Sequence, residues 1–282
     1  METLLIETAP GVITQTYWHQ GGDKLIVWHH GMPSPRPLSP AMAELFNSHG
    51  YSVAIPIRQG YAKSTVVGKR PISEDAEATR AVVAHLGFEE FISTGFSAGG
   101  ARVLADLALL DNATQGIDFA GLVPANLPEF NPFAKAPQDE VEFFEVIKAF
   151  EPDLKNKFEE WVHAYMANDP MAEYANADED TLAWVNSSDA QFRFKQRSIA
   201  FESGVEGWML DEYSALVDYG FDVSTITKPL HIIHGDADTN VDVSCSLWLH
   251  SKIKSSTLNI VPGFAHSRIF SLEIIADALK NL

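Results

Sequence analysis

One stretch, residues 91–100, constrains this chain more than any other. Ser97 lies between Gly95 and Gly99 in a Gly-x-Ser-x-Gly pattern, which is typical of a sharp turn between a strand and a helix. Glycines are needed there because larger side chains would hold the strand and the helix apart. The turn lifts the serine hydroxyl above the sheet, beside unpaired N–H groups at the helix start. A plain strand–helix turn with a solvated serine has the same pattern, so the rest of the chain must decide.

Strand and helix signals alternate along most of the chain. A β-hairpin is expected over residues 4–7 and 12–18. Continuous apolar runs predict further strands at 24–29, 51–56, 91–96, 119–123, 229–234 and 256–261. Helices are predicted at 40–48, at 73–86 with Ser73 as N-cap, at 98–110, and at 267–279. This alternation predicts an α/β fold: a mostly parallel, twisted sheet with helices on both faces.

The segment 125–221 differs from the rest of the chain. It has no buried strand runs, its apolar residues recur at helical spacing, and it is rich in acidic and aromatic residues. A disordered linker would lack the aromatics. We therefore predict a helical cap at 125–221, inserted into a core formed by 1–124 and 222–282.

Composition limits the partners. The net charge is −18, and an acidic surface repels nucleic acids and anionic membranes. The single cysteine, Cys245, excludes an intramolecular disulfide and a Cys–His zinc cluster. The N-terminal residues are not typical of a signal peptide, and no apolar run is long enough to span a membrane. We expect a cytoplasmic protein with neither metal nor cofactor.

Polar residues follow three of the predicted strands and come in the order serine, acid, histidine. The carboxyl ends of parallel strands meet at one edge of a sheet, where functional groups gather. A serine hydroxyl needs a base to act as a nucleophile. Of the ten histidines, His266 is preferred because it lies on a short loop after the last strand. Asp238 is the preferred acid to orient it, with Asp236 and Asp242 as alternatives.

An oxyanion formed at Ser97 would need N–H donors already in place. The N–H of Ala98, directly after the serine, is one candidate. The other is the N–H of Met32, in the loop that follows the strand at 24–29, where Gly31 permits a tight turn. Pro33 has no N–H.

These features together resemble the α/β-hydrolase superfamily, in its cap-bearing branch with a His-Gly-x-Pro oxyanion loop. The resemblance covers nearly the whole chain outside the cap. Residues 58–64 look like the Asp-Arg-x-Gly-x-Gly-x-Ser loop of that branch, with Ile57 in place of the aspartate and Ala62 in place of a glycine. Residues 201–208 and 219–222 look like its return from cap to core. The branch includes esterases, proline iminopeptidases and cofactor-free haloperoxidases.

The resemblance implies a hydrolase with Ser97, Asp238 and His266 as a triad, and a carboxylesterase is the preferred activity. Aromatic cap residues are expected to line the substrate pocket, with Phe130, Trp161 and Trp208 as the chosen candidates. An aminopeptidase of the proline iminopeptidase kind is the main alternative, because the cap is acid-rich. A small-ligand receptor without catalysis is a third. The expected partner is a small-molecule ester, and the oligomeric state stays open.

Overall fold

The structure is a computed structural model that describes residues 1–169, 171–175, 177–280 and 282. Its centre is an eight-stranded sheet. The strands are β1 (Glu2–Ala9), β2 (Val12–His19), β3 (Lys24–His29), β4 (Tyr51–Pro56), β5 (Phe91–Phe96), β6 (Ala113–Phe119), β7 (Leu230–Gly235) and β8 (Ser256–Val261). Their order in the sheet is β1-β2-β4-β3-β5-β6-β7-β8. Strand β2 pairs antiparallel with β1 and β4, and all the other neighbours are parallel.

Ten α-helices lie in the described ranges, and none of them is long and apolar enough to cross a lipid bilayer. They are α1 (Pro40–Ser48), α2 (Asp75–His85), α3 (Ala98–Leu109), α4 (Gln138–Ala149), α5 (Leu154–Ala167), α6 (Glu179–Val185), α7 (Ser188–Lys195), α8 (Glu206–Leu216), α9 (Ser244–Lys252) and α10 (Leu272–Leu279).

The sheet is covered on both faces, as its unbroken apolar strands predict. Leu25 and Val27 of β3 face one hydrophobic core, and Ile26 and Trp28 of the same strand face the other. Side chains alternate along a strand, so a strand buried on both sides must be apolar at every position. The predicted fold class is confirmed.

Three predicted elements are corrected. Ser73 does not cap α2: it lies inside a short 3₁₀ turn, Ile72–Glu74, and α2 begins at Asp75. The strand predicted at 119–123 is β6, which ends at Phe119. The sequence misplaced it because Gln115, Gly116 and Asp118 interrupt the apolar pattern of the strand. The closing helix is divided, with a 3₁₀ turn at Arg268–Phe270 before α10.

Helices α4 to α8 are inserted between β6 and β7, within the segment predicted as a cap. They have a hydrophobic cluster of their own, which includes Ile147, Leu154 and Phe158. Helix α8 also contacts the rest of the molecule through Asp211, which is buried and paired with Arg58 and Arg102. The domain boundaries at 124/125 and 221/222 stay predictions.

Asp118 of β6 lies directly under the start of α3. A Cβ atom on Gly100 or Gly121 would lie 2.2 or 2.0 Å from its Oδ1, so a larger residue at either position would displace this buried carboxyl group. Neither carboxylate oxygen accepts a hydrogen bond from a described side chain, and the backbone N–H of Gly121 offsets the cost of burial only in part. Burial raises the pKa of Asp118 to about 7. The core next to Ser97 therefore holds a carboxyl group that is costly to ionise.

This burial predicts a pH-dependent stability. Between about pH 4, the pKa of an aspartate in an unfolded chain, and about pH 7, the native carboxyl keeps a proton that the unfolded chain has lost. The contribution of Asp118 to the free energy of unfolding therefore falls as the pH rises through this window. Asp118→Asn cannot ionise, so its Tm relative to wild type should rise by several degrees between pH 5 and pH 8.

Differential scanning fluorimetry across that range measures the effect. Asp111→Asn is the matched control, because it removes the same group from an exposed position, where no cost of burial is relieved. Parallel pH profiles for Asp118→Asn and wild type would contradict the prediction.

Candidate active site

Ser97 occupies a strained turn between β5 and α3. Its backbone has φ 56° and ψ −124°, a region that non-glycine residues rarely adopt. A Cβ on Gly95 would lie 2.4 Å from the carbonyl oxygen of Gly99, and a Cβ on Gly99 would lie 2.1 Å from that of His29. The two glycines of the motif thus let the helix approach the strands closely, and this holds the serine above the sheet.

His266 and Asp238 lie on the loops after β8 and β7 and form a hydrogen-bonded pair. His266 Nδ1 donates to Asp238 Oδ2 at 2.6 Å. The other oxygen, Oδ1, accepts the N–H groups of Asn240 and Val241 at 2.8 and 2.9 Å. Burial alone would raise the pKa of Asp238, but hydrogen bonds from His234 and His266 hold it well below its usual range. The carboxylate is therefore ionised at neutral pH.

The two alternative acids bind other partners than His266. Asp236 Oδ1 accepts the N–H of Gly263 at 2.6 Å. Asp242 pairs with Lys135 Nζ at 2.7 Å and accepts the N–H of Ser244. Asp238 is the one of the three whose carboxylate contacts His266.

Ser97 and His266 line the same cavity. The ring of Phe96, next to Ser97, lies 4.8 Å from the imidazole of His266. In the part of the chain that the structure describes, no hydrogen bond joins Ser97 Oγ to His266. Such bonds often form only when substrate is bound. The structure brings the side chains of Ser97, Asp238 and His266 to the wall of one cavity.

Two backbone N–H groups at this site have no hydrogen-bond partner in the described ranges: that of Met32, which lines the cavity, and that of Ala98, directly after Ser97. Ala98 is the first residue of α3, where a helix leaves its N–H groups unpaired. The carbonyl of Gly31 points away from the cavity, because it accepts Arg58 Nη2 at 3.1 Å. In a trans peptide the N–H points opposite to the C=O, so the N–H of Met32 points toward the cavity.

The cavity has a volume of about 950 Å³ and lies between the sheet edge and the inserted helices. Its lining mixes apolar and charged side chains. The apolar part includes Leu122, Val123, Phe133, Phe144, Trp184 and Phe194. A space of this size accepts a small organic molecule.

The three predicted pocket residues do not line this cavity. Phe130 stacks on Trp248 at 5.6 Å, outside the inserted helices. Trp161 packs among Phe143 and Phe158 in the cluster between α4 and α5. Trp208 packs on Phe158, and its Nε1 donates to Glu212 Oε1 at 2.9 Å. Helical spacing identifies an apolar face but does not say which neighbour it packs against; for Trp161 and Trp208 that neighbour is another inserted helix.

Comparisons with known proteins agree with this architecture. No protein-family model matches the chain. A non-heme haloperoxidase from Rhodococcus erythropolis is 24% identical over 253 residues, 89% of this chain and 88% of that protein. A bromoperoxidase from Bacillus anthracis superposes with a TM-score of 0.71 at 19% identity and 99% coverage of both chains. An esterase from Exiguobacterium antarcticum gives 0.71 at 16% identity, over 99% of this chain and 100% of that one.

The chain has the α/β-hydrolase fold. An epoxide hydrolase from Vigna radiata, with a TM-score of 0.70 at 14% identity over 99% and 97% of the chains, shares it. The resemblance predicted from the motifs is thus confirmed for the fold. Since the same fold occurs in proteins with different names, the chemistry must be argued from the site itself.

Arg58 has a role in this α/β-hydrolase fold that the sequence did not reveal. Arg58 Nη1 and Nη2 donate to the carbonyls of His30 and Gly31 at 2.6 and 3.1 Å. The same guanidinium pairs with Asp211 of α8 at 2.6 Å. Arg58 therefore orients the peptide that carries the Met32 N–H. An arginine two residues beyond β4 was a signal, but its partners lie 27 to 153 residues away.

His234, at the end of β7, is a second residue that sequence reasoning missed. Its Nε2 lies 2.9 Å from the carbonyl oxygen of Val241 and 3.2 Å from Asp238 Oδ2. A carbonyl only accepts, so Nε2 carries the proton, and the hydroxyl of Ser246 donates to Nδ1 at 2.6 Å. The fully buried imidazole thus contacts the same carboxylate oxygen of Asp238 as His266 does.

The elbow makes a prediction about stability. Gly99→Ala would place a Cβ 2.1 Å from the carbonyl oxygen of His29, and this backbone atom cannot move aside without disturbing β3. We expect the free energy of unfolding to fall by at least about 2 kcal/mol in urea titrations. Gly87→Ala is the control: it has a positive φ but no atom within 4 Å, so it should cost only about 1 kcal/mol. Equal losses in the two variants would refute a tight strand–helix contact at Gly99.

Proposed function

We propose that this protein is a serine hydrolase that cleaves carboxylic esters through an acyl-enzyme, with Ser97, Asp238 and His266 as its triad. One observation carries the proposal: the strained elbow holds Ser97 on the wall of the cavity that also holds the paired His266 and Asp238. Catalysis by an activated serine needs this set of groups at one place.

In the proposed mechanism, His266 Nε2 takes the proton of Ser97 Oγ as the oxygen attacks the ester carbonyl. The new oxyanion is held by the N–H groups of Met32 and Ala98. Asp238 stabilises the imidazolium through its hydrogen bond to Nδ1. The tetrahedral intermediate then collapses, and His266 gives the proton to the departing alcohol. A water molecule, deprotonated by His266, attacks the acyl-enzyme and releases the acid and Ser97.

The residue at the elbow separates this chemistry from that of other members of the fold. Haloalkane dehalogenases and epoxide hydrolases of the resembled branch use a carboxylate there to form an ester intermediate. This chain has a serine at that position, Ser97, so its elbow is better suited to attack by a hydroxyl on an ester carbonyl. The esterase among the solved structures with this fold agrees with that choice. We propose a small-molecule ester as substrate and the cytoplasm as the location.

The proposal predicts the behaviour of Ser97→Ala. This variant should keep the wild-type Tm within about 1 °C, because the hydroxyl makes no hydrogen bond among the described residues, and it should lose at least about 10³-fold in kcat on p-nitrophenyl esters. A fluorophosphonate should label wild type but not the variant. If wild type neither turns over esters nor reacts with the fluorophosphonate, the ligand-receptor alternative is favoured. Near-full activity in Ser97→Ala would exclude the mechanism.

A second candidate function, aminopeptidase activity, is favoured by Glu212. This residue of α8 lines the cavity, and burial raises the pKa of its carboxyl to about 7, with Glu140 nearby also contributing. A carboxylate in a cavity wall suits the ammonium group at the end of a peptide. Most other acidic residues of the inserted helices are exposed, so they do not favour this function.

Paired substrates distinguish the two functions. Prolyl- and alanyl-arylamides are assayed beside a p-nitrophenyl ester at pH 8, where Glu212 is ionised. We expect kcat/KM for the ester to exceed that for the amides by at least about 100-fold, because the arylamide is the harder bond to break and needs its own ammonium contact. Preference for the amides that Glu212→Gln abolishes would instead support an aminopeptidase. Glu160→Gln, at an exposed position of α5 that does not line the cavity, is the matched control.

A further inference from the structure

Arg193 of α7 is a buried cation on the wall of the cavity. Its side chain is only 8% exposed, and its guanidinium lies over the rings of Phe270 and Trp184, 4.7 and 5.2 Å from their centroids. Nε and Nη2 have no hydrogen-bond partner among the described residues. The nearest counter-charge is Asp189, whose Oδ2 lies 3.4 Å from Nε. Buried guanidinium donors without acceptors are costly.

Arg36 joins Arg193 at the same wall. It lies four residues after Met32, and its Nη1 donates to the carbonyl of Arg193 at 3.3 Å. Both arginines line the main cavity and a small adjoining cavity of about 20 Å³. Burial and the positive charge of Arg193 lower the pKa of Arg36 to about 10. Arg36 therefore remains charged at neutral pH, in a place that disfavours its charge.

The described residues neutralise only one of the two positive charges of Arg36 and Arg193 by direct contact. Asp189 is the one carboxylate that contacts either arginine in the described ranges, and it also accepts a hydrogen bond from Ser39. A third arginine on the wall, Arg197, is already occupied by the carbonyls of Met166 and Asn168. A local excess of positive charge is unusual in a protein of net charge −18.

The arginine pair is close to the reacting groups. Phe270, under the guanidinium of Arg193, stacks on Phe96 at 5.5 Å, and Phe96 in turn contacts the ring of His266. Arg36 follows the proposed oxyanion loop directly. A ligand in the cavity can therefore reach the arginine pair while its ester carbonyl lies at Ser97.

We propose that Arg36 and Arg193 bind a carboxylate of the substrate, so that the esters cleaved at Ser97 are acidic ones that carry a free carboxylate group. This inference rests on the proposed function. Guanidinium groups bind carboxylates through paired, charge-assisted hydrogen bonds, and such a group would supply acceptors to Arg193, whose donors lack them. The bound anion also balances the surplus charge at this wall.

The test compares two esters of similar shape. Monoethyl glutarate carries the carboxylate, and in ethyl 5-methylhexanoate an isopropyl group replaces it. The measured quantity is the ratio of their kcat/KM values, followed by chromatography of the released acids. Wild type should favour the charged ester by at least about tenfold, and Arg36→Gln should lower this ratio by at least about tenfold, as expected for the loss of one charge-assisted hydrogen bond.

Two further variants control the experiment. Arg80→Gln removes the same charge at an exposed position of α2 that does not line the cavity, and it should leave the ratio unchanged. Arg36→Lys keeps a cation but lacks the planar guanidinium group. Its ratio of kcat/KM values should therefore lie between those of Arg36→Gln and wild type. A ratio that Arg36→Gln leaves unchanged, or that Arg80→Gln lowers equally, would overturn the proposal.

A binding experiment separates this inference from the proposed function. Ser97→Ala is titrated with glutarate by calorimetry, beside 5-methylhexanoamide as the neutral probe. Glutarate should bind, and Arg36→Gln in the same background should weaken its Kd by at least about tenfold. Esters that are not turned over, together with Arg36-dependent glutarate binding, would refute the esterase and support the anion site. Absence of glutarate binding would refute the anion site even if neutral esters are cleaved.

Discussion

The close approach of α3 to β3 and β5 is the constraint on which the site depends. It exists because positions 95 and 99 lack a Cβ, where a Cβ would lie 2.4 and 2.1 Å from backbone oxygens. Ser97 then has to adopt a positive φ, which is unfavourable by itself and persists only because the surrounding structure imposes it. The same packing brings the N–H of Ala98 beside the serine. The proposed nucleophile and one proposed oxyanion donor thus both depend on this one contact.

A buried ionic network connects this elbow to the inserted helices. Asp211 of α8 pairs with Arg58, which holds the loop of Met32, and with Arg102 of the elbow helix. Arg102 also pairs with Asp75 at 2.9 Å. Burial alone would raise the pKa of Asp75, but Arg102 and Arg70 hold it below its usual value. Loss of one partner would leave another charge buried and unpaired, so the network gives α8 a defined position relative to both proposed oxyanion donors.

The cavity has charges of opposite sign on different parts of its wall. Arg36 and Arg193 lie on the part next to Phe270, while Glu212 lies on α8, with its carboxyl bonded to Trp208. A pocket with an apolar lining and a few polar groups selects its ligand by where those groups lie. A substrate that carries an ester and a carboxylate can place its ester carbonyl at Ser97 and its carboxylate at the arginine pair at the same time. The acidic part of the wall would reject a second negative charge on that side.

The fold and the candidate triad could be predicted from the sequence because their signals are local. The Gly-x-Ser-x-Gly spacing reports a strained turn, the apolar runs report buried strands, and the places of Asp238 and His266 after β7 and β8 follow from the order of the strands. Strand β6 was misplaced because its own residues are partly polar. Trp161 and Trp208 were misassigned because amphipathic spacing does not reveal which partner a helix face meets, and Phe130 was misassigned because it lies before the first inserted helix and packs on Trp248 of α9. Arg36 and Arg193 are 157 residues apart, as Arg58 and Asp211 are 153 apart. Only the tertiary structure decided which of these charges face one another and which face the cavity, because that depends on how the inserted helices pack over the elbow.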